Sequence, residues 1–157
     1  GRLHLENTSG AIFDSYTVEL ANNTFKWTGL ASTFEYFNQN NQTYIAYCFH
    51  SVDGFSKIGS YVGNGSATGP IITLGFEPAF VMVKNTTGTG LWLMSDNKRQ
   101  TAATKTTYLQ AQSNAAEYSP YTWIEYLSNG FQLKNTGSSL NTNGSTYIFM
   151  AFAVDPT

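Results

Sequence analysis

Two histidines, ten carboxylates and a single cysteine are the groups in this 157-residue chain that could carry acid–base, nucleophilic or metal chemistry. Their spacing assigns none of it. His4 and His50 have no second His, Cys or Asp at the short intervals from which metal sites are built. His50 and Asp53 share one strand end, which gives them the reach of a proton relay, but a plain polar strand terminus accounts for both. The carboxylates are Glu6, Asp14, Glu19, Glu35, Asp53, Glu77, Asp96, Glu117, Glu125 and Asp155, and no pair among them reads as a glycosidase dyad. There is no Gly-x-Ser-x-Gly nucleophile turn. Gly63-Asn64-Gly65 runs into Ser66-Ala67-Thr68 without a helix, so it is a turn rather than a phosphate loop. Cys48 lies in an apolar run and has no second cysteine to pair with, so an inert buried thiol is expected. The chain is therefore expected to be no enzyme, with no catalytic residue, no cofactor and no metal.

Recognition chemistry is the better prospect. Asp96 and Arg99 are spaced to form a buried, bidentate pair that fixes a loop, with ligand recognition as the alternative use. Trp27, Tyr36, Phe37, Trp92, Tyr118, Tyr121, Trp123 and Tyr126 could build a sugar-stacking platform or an interface anchor. Core packing claims most such residues in a β-protein. Tyr118-Ser119-Pro120-Tyr121 reads as a loop, which makes Tyr118 and Tyr121 the surface candidates, beside Trp123, Trp92, Trp27 and Tyr36. Asn-x-Ser/Thr sequons at Asn7, Asn41, Asn64, Asn85 and Asn143 are what an Asn- and Thr-rich chain produces by chance, and they also suit a secreted surface protein.

The elements that must hold these residues are strands. Apolar residues alternate or form short runs bounded by Gly, Asn and Pro, with almost no helical period. Strands are predicted at 3–6, 15–20, 24–28, 43–50, 54–61, 71–74, 79–84, 91–95, 106–110, 122–127, 131–134 and 146–154. Asn129-Gly130 suits the two central residues of a type I′ hairpin turn. Tyr44–Phe49 and Tyr147–Phe152 are apolar on both faces and should be central strands. Many short strands at regular spacing imply an all-β, antiparallel β-sandwich or jelly-roll-like architecture. Charged residues make up only 11% and the net charge is −2, which excludes binding driven by phosphate neutralisation. No apolar run approaches the roughly 20 residues of a membrane-spanning helix.

One sentence occurs twice in the chain. Tyr44-Ile45-Ala46-Tyr47-Cys48-Phe49 is echoed by Tyr147-Ile148-Phe149-Met150-Ala151-Phe152 at an offset of 103. Phe25 and Phe131, each opening an Asn-preceded strand, stand 106 apart, and Leu3 and Tyr108 stand 105 apart. Near-constant offsets point to a duplicated unit with the first copy truncated. The expected organisation is residues 1–62 as a truncated first β-repeat and 63–157 as a second, nearly complete one, packed as one globular unit. The opening strands of the first copy are then to be supplied by a neighbour, or lost because the start at Gly1 is a processed or fragment boundary.

The run Tyr44 to Tyr61, the continuation Gly63-Asn64-Gly65-Ser66 and Gly75-Phe76-Glu77-Pro78-Ala79-Phe80-Val81-Met82-Val83-Lys84, and the ending Thr146 to Ala153 resemble a β-rich repeat of tailed-phage virion proteins, often from marine phages. Asp96-Asn97-Lys98-Arg99 matches that repeat's Asp-x-x-Arg segment, and Arg2 looks like its remnant in the first copy. The resemblance implies a virion or extracellular component, tail-fibre-like and sometimes beside lectin-like domains, and no chemistry. The expected function is a non-enzymatic virion structural or adhesion protein assembling through sheet edges and aromatic patches. A carbohydrate-binding, lectin-like module for host attachment is the alternative. Self-association or other virion proteins are the expected partners, with strand addition at the N-terminal repeat, and surface glycans a second class; no nucleic acid and no membrane span are expected.

Overall fold

The computed structural model describes residues 8–9, 17–21, 24–28, 40–99, 107–118 and 122–155. These form an all-β fold of ten strands: β1 (Thr17–Ala21), β2 (Thr24–Thr28), β3 (Ser56–Val62), β4 (Ile71–Thr73), β5 (Pro78–Asn85), β6 (Leu93–Asp96), β7 (Leu109–Gln110), β8 (Ile124–Leu127), β9 (Gly130–Leu133) and β10 (Thr146–Ala153). All the ladders are antiparallel. A five-stranded sheet in the order β3-β10-β5-β6-β7 faces a three-stranded sheet in the order β4-β9-β8, and β1 and β2 form a separate hairpin. No helix among the described residues is long and apolar enough to cross a membrane.

Alternation explains the sandwich. Along β10, Tyr147, Phe149 and Ala151 are buried, and along β5 so are Val81 and Val83. Their partners across the gap are Ile72, Ile124, Phe131 and Leu133. Phe149 meets Phe131 edge-on at 5.7 Å, linking the two sheets. Tyr61 stacks on Tyr147 at 5.0 Å and donates its hydroxyl to the Leu140 carbonyl. Gly59 makes room for the Phe149 ring: a Cβ there would fall 2.8 Å from it.

The boundary placed at 62/63 runs along the end of β3, yet β3 is laddered to β10 from Ser56↔Phe152 to Val62↔Thr146, so the two portions share a sheet. The loop at 63–69 folds back onto 141–145 and is tied down by Asn141, which is fully buried and bonded to Asn64 and Ser66.

Two local expectations need correction. The β8–β9 turn is centred on Ser128 and Asn129, not on Asn129-Gly130, because Leu127 pairs with Gly130. Neither central residue has the positive φ of a type I′ turn, the one such non-glycine residue described being Asn41. Gly130 is required for another reason: it lies at φ 154°, and a Cβ would collide with the Ile72 carbonyl oxygen of β4. The second correction is larger. Tyr147–Phe152 is the central strand that its apolar faces predict, but residues 42–50 belong to no strand. Tyr44 is 47% exposed, Ile45 79%, Tyr47 81% and Phe49 58%. Cys48 is exposed with them, so the buried thiol expected there is not found.

Candidate functional site

Two surfaces gather the side chains with recognition chemistry. The first is the outer face of the five-stranded sheet. Because β10 pairs with β3 and β5, and β5 with β6, the register carries Ile58, Met150, Met82 and Met94 into one row across four strands. These include all three methionines of the chain. Phe152 and Phe80 pair in the next row on one side, and Ile148 and Lys84 on the other. A sheet face turned away from the core is ordinarily polar, and soft thioethers beside aromatics are typical of adaptable contact surfaces. A groove of about 560 Å³ opens on this face, lined among others by Phe49, Trp92, Ile148 and Met150. Phe49 and Phe55 both approach Phe152 edge-on, at 6.2 and 6.0 Å, and bring the 49–55 segment over one end of the face.

Lys84 closes the other end. It is fully buried, and its ammonium donates to the carbonyls of Thr8 and Gly90 at 2.9 Å each. It also lies 5.9 Å from the centre of the Trp92 ring. Burial lowers its pKa from the usual lysine value. Two carbonyl acceptors use the lysine as a donor, which makes it a clamp between the start of the chain and the 85–90 turn.

The second surface is the end of the sandwich around β6 to β8. Asp96 accepts from the backbone N–H groups of Lys98 and Arg99 at 3.0 and 2.9 Å and pairs with Arg99 Nε at 2.8 Å. The pair does fix a loop, but it is neither buried nor bidentate: the Arg99 side chain is 42% exposed and Asp96 26%, and contact is made through Nε. The sequence motif suits a fork, but a short i,i+3 loop closes on the carboxylate edge-on and leaves the guanidinium in water. Arg99 also reaches Glu117 at 3.9 Å. Tyr118 follows, 51% exposed, with its ring edge-on to Tyr108 at 5.7 Å and its backbone bridged to Tyr108.

Of the aromatic candidates whose exposure is described, Tyr118 is the exposed one. Trp123 is corrected from surface anchor to core: it is 2% exposed and packs edge-on against Tyr108 at 5.5 Å. Its position just before β8 carries it inward with Ile124. Trp92 is half-buried and lines the groove. Trp27 lies in β2 opposite Val18. Tyr36, Phe37 and Tyr121 lie outside the described residues, as do Leu3 and Arg2. Burial raises the pKa of Tyr126, helped by the nearby Asp96 charge. His50 turns its Nδ1 to the Ser51 carbonyl at 2.9 Å rather than to Asp53. Among the described residues no three His, Cys, Asp or Glu side chains gather as a metal site.

Sequence reasoning missed the methionine row and Lys84. The row depends on cross-strand register, which spacing along one strand does not reveal. Lys84 did leave a signal, as a charge within an otherwise apolar strand, Ala79 to Lys84.

No curated protein and no solved structure matches the chain. Residues 1–156 match the pattern of the domain of unknown function DUF7483, and the chain belongs to that family.

Proposed function

We propose that this domain is a non-enzymatic structural and adhesion module of a virion, which assembles with other protein chains through its sheet edges and its apolar outer sheet face. The observation that carries the reading is the row of Ile58, Met150, Met82 and Met94 flanked by Phe80, Phe152 and Ile148 on a face turned away from the core. Half-exposed apolar rows of this kind mark interaction surfaces. The resemblance to β-rich repeats of tailed-phage virion proteins supplies the setting. Immunogold labelling of intact particles with an antibody to this domain tests it. Labelling of fibres or the particle surface supports the reading; absence from every particle fraction, or hydrolase turnover by the purified chain, contradicts it.

A carbohydrate-binding role is the second reading. It is favoured by one observation, the exposed Tyr118 ring beside the Asp96, Arg99 and Glu117 group. An aromatic face next to paired charges suits stacking on, and hydrogen bonding to, a sugar. A glycan array decides it: binding that Tyr118→Ala abolishes supports it, and no binding to any sugar class removes it.

A further inference from the structure

We infer that the groove on the outer face of the five-stranded sheet binds a small amphipathic anion, an aliphatic carboxylate, with its chain along the methionines and its head at the Lys84 end. Such a ligand would occupy the groove whether or not the same face also meets other protein chains.

The shape and lining suit an alkyl chain. The groove holds about 560 Å³, within the range of roughly 300–1,000 Å³ usual for small-molecule sites. Its floor is set by cross-strand register. Met150 pairs with Ile58 on one side and Met82 on the other, and all three line the groove. Thioether side chains are unbranched and polarizable, so they fit a flexible chain without a fixed shape. Phe49, edge-on to Phe152 at 6.2 Å, stands at the end away from Lys84.

The polar side chains of the lining gather at the opposite end. Ile148 pairs with Ser60 of β3 and with Lys84 of β5. The β5–β6 ladder reaches Val83↔Leu93, and its continuation sets Trp92 opposite Lys84. Ser60, Lys84 and Trp92 all line the groove, in one row across Ile148. The site therefore has an apolar body and a polar head, which fixes the direction of an amphipathic ligand.

Lys84 gives that head its sign. Among the described residues no carboxylate pairs with it; the ion pairs there join Arg99 to Asp96 and Glu117, and Lys134 to Glu125. Two of its three N–H donors go to the Thr8 and Gly90 carbonyls, which are dipoles and leave the charge uncompensated. A cation closed off from water is unfavourable without a counter-charge, and burial accordingly lowers its pKa. The Trp92 ring is centred 5.9 Å from the ammonium and forms part of the groove wall. A carboxylate against that ring feels the ammonium across apolar interior, where charge is little screened. Lys84 is fully buried, so it acts through its field, while the Ser60 hydroxyl can donate to the head directly.

The test compares decanoate with decanol, which share one alkyl chain, below their aggregation limits and with methyl-labelled methionine followed by NMR. Met82 and Met150 line the groove, and Met94 is the internal control. Decanoate should shift the Met82 and Met150 methyl signals more than that of Met94, and should bind about tenfold or more tightly than decanol. Lys84→Met should bring decanoate down to the affinity of decanol and leave decanol unchanged. Ile148→Glu keeps Lys84 and sets a carboxylate beside it, so it should abolish decanoate binding even if Lys84→Met fails to fold. Unmoved Met82 and Met150 signals with both ligands would overturn the inference. So would equal affinity of the wild-type chain for acid and alcohol, or a preference for the acid that survives Ile148→Glu.

Discussion

Residues 44–49 and 147–152 carry nearly the same sentence and end in opposite environments. Tyr147 is fully buried, Phe149 5% exposed and Ala151 fully buried, whereas Tyr44 and Ile45 are 47% and 79% exposed. The hairpins that precede them repeat the contrast. β1–β2 pairs Leu20 with Phe25 and Ala21 with Thr24; adding 106 to each number gives the β8–β9 pairs Tyr126↔Phe131 and Leu127↔Gly130. Phe131 is fully buried and Phe25 41% exposed. Local sequence thus sets a hairpin's register, but burial depends on whether facing strands are available. An isolated two-stranded hairpin has little stability of its own in water.

The two segments differ most where Phe149 corresponds to Ala46. Phe149 occupies the space that Gly59 leaves open and reaches Phe131 in the facing sheet. Alanine there would leave a cavity, so 44–49 cannot displace β10 from its own sheet.

The sharpest way to break the comparison is Phe149→Ala, which makes β10 resemble the exposed segment. It should cost about 3–5 kcal/mol, read from denaturant unfolding; Ala46→Gly, its counterpart, should leave monomer stability nearly unchanged. Next comes Tyr147→Phe. Its hydroxyl donates to the Ser138 carbonyl and accepts from Thr142 N–H, both at 2.9 Å, so the loss should be about 1–3 kcal/mol. Tyr47→Phe, at a ring 81% exposed, should fall within about 0.5 kcal/mol of wild type.

Alkaline pH gives a smaller, signed effect. Burial holds the Tyr61 and Tyr126 hydroxyls above their ordinary value of 10.0. The folded chain keeps protons that the unfolded chain releases, so their contribution is complete below 10.0 and is lost as pH rises beyond it. Lys84, lowered from 10.5, acts in the opposite sense as pH approaches that value. Comparing Tyr126→Phe with wild type cancels the lysine, and the variant should lose less stability over the alkaline limb. Smallest of all is the double change Ile45→Lys with Tyr47→Lys, at side chains 79% and 81% exposed, which should leave the unfolding midpoint in place.

Much of the sandwich was legible in the sequence because its inward and outward residues alternate within each strand. The strands 24–28, 71–74, 79–84 and 146–154 were readable to within a residue or so of their observed ends. What failed did so for a common reason. Tyr44–Phe49 has every local mark of a central strand, and Cys48 every mark of a buried thiol, but pairing partners are a property of the whole sheet. At the polar end, Asp96 and Arg99 were identifiable from spacing, whereas the inward turn of Trp123 and the approach of Glu117 depended on the fold.

Amide hydrogen exchange measures the contrast directly. Residues 147–152 should be protected, whereas 44–49, which belong to no strand, should exchange rapidly. Protection of 44–49 equal to that of 147–152 would contradict the claim that one copy of the sentence builds the core and the other lies exposed outside the strands.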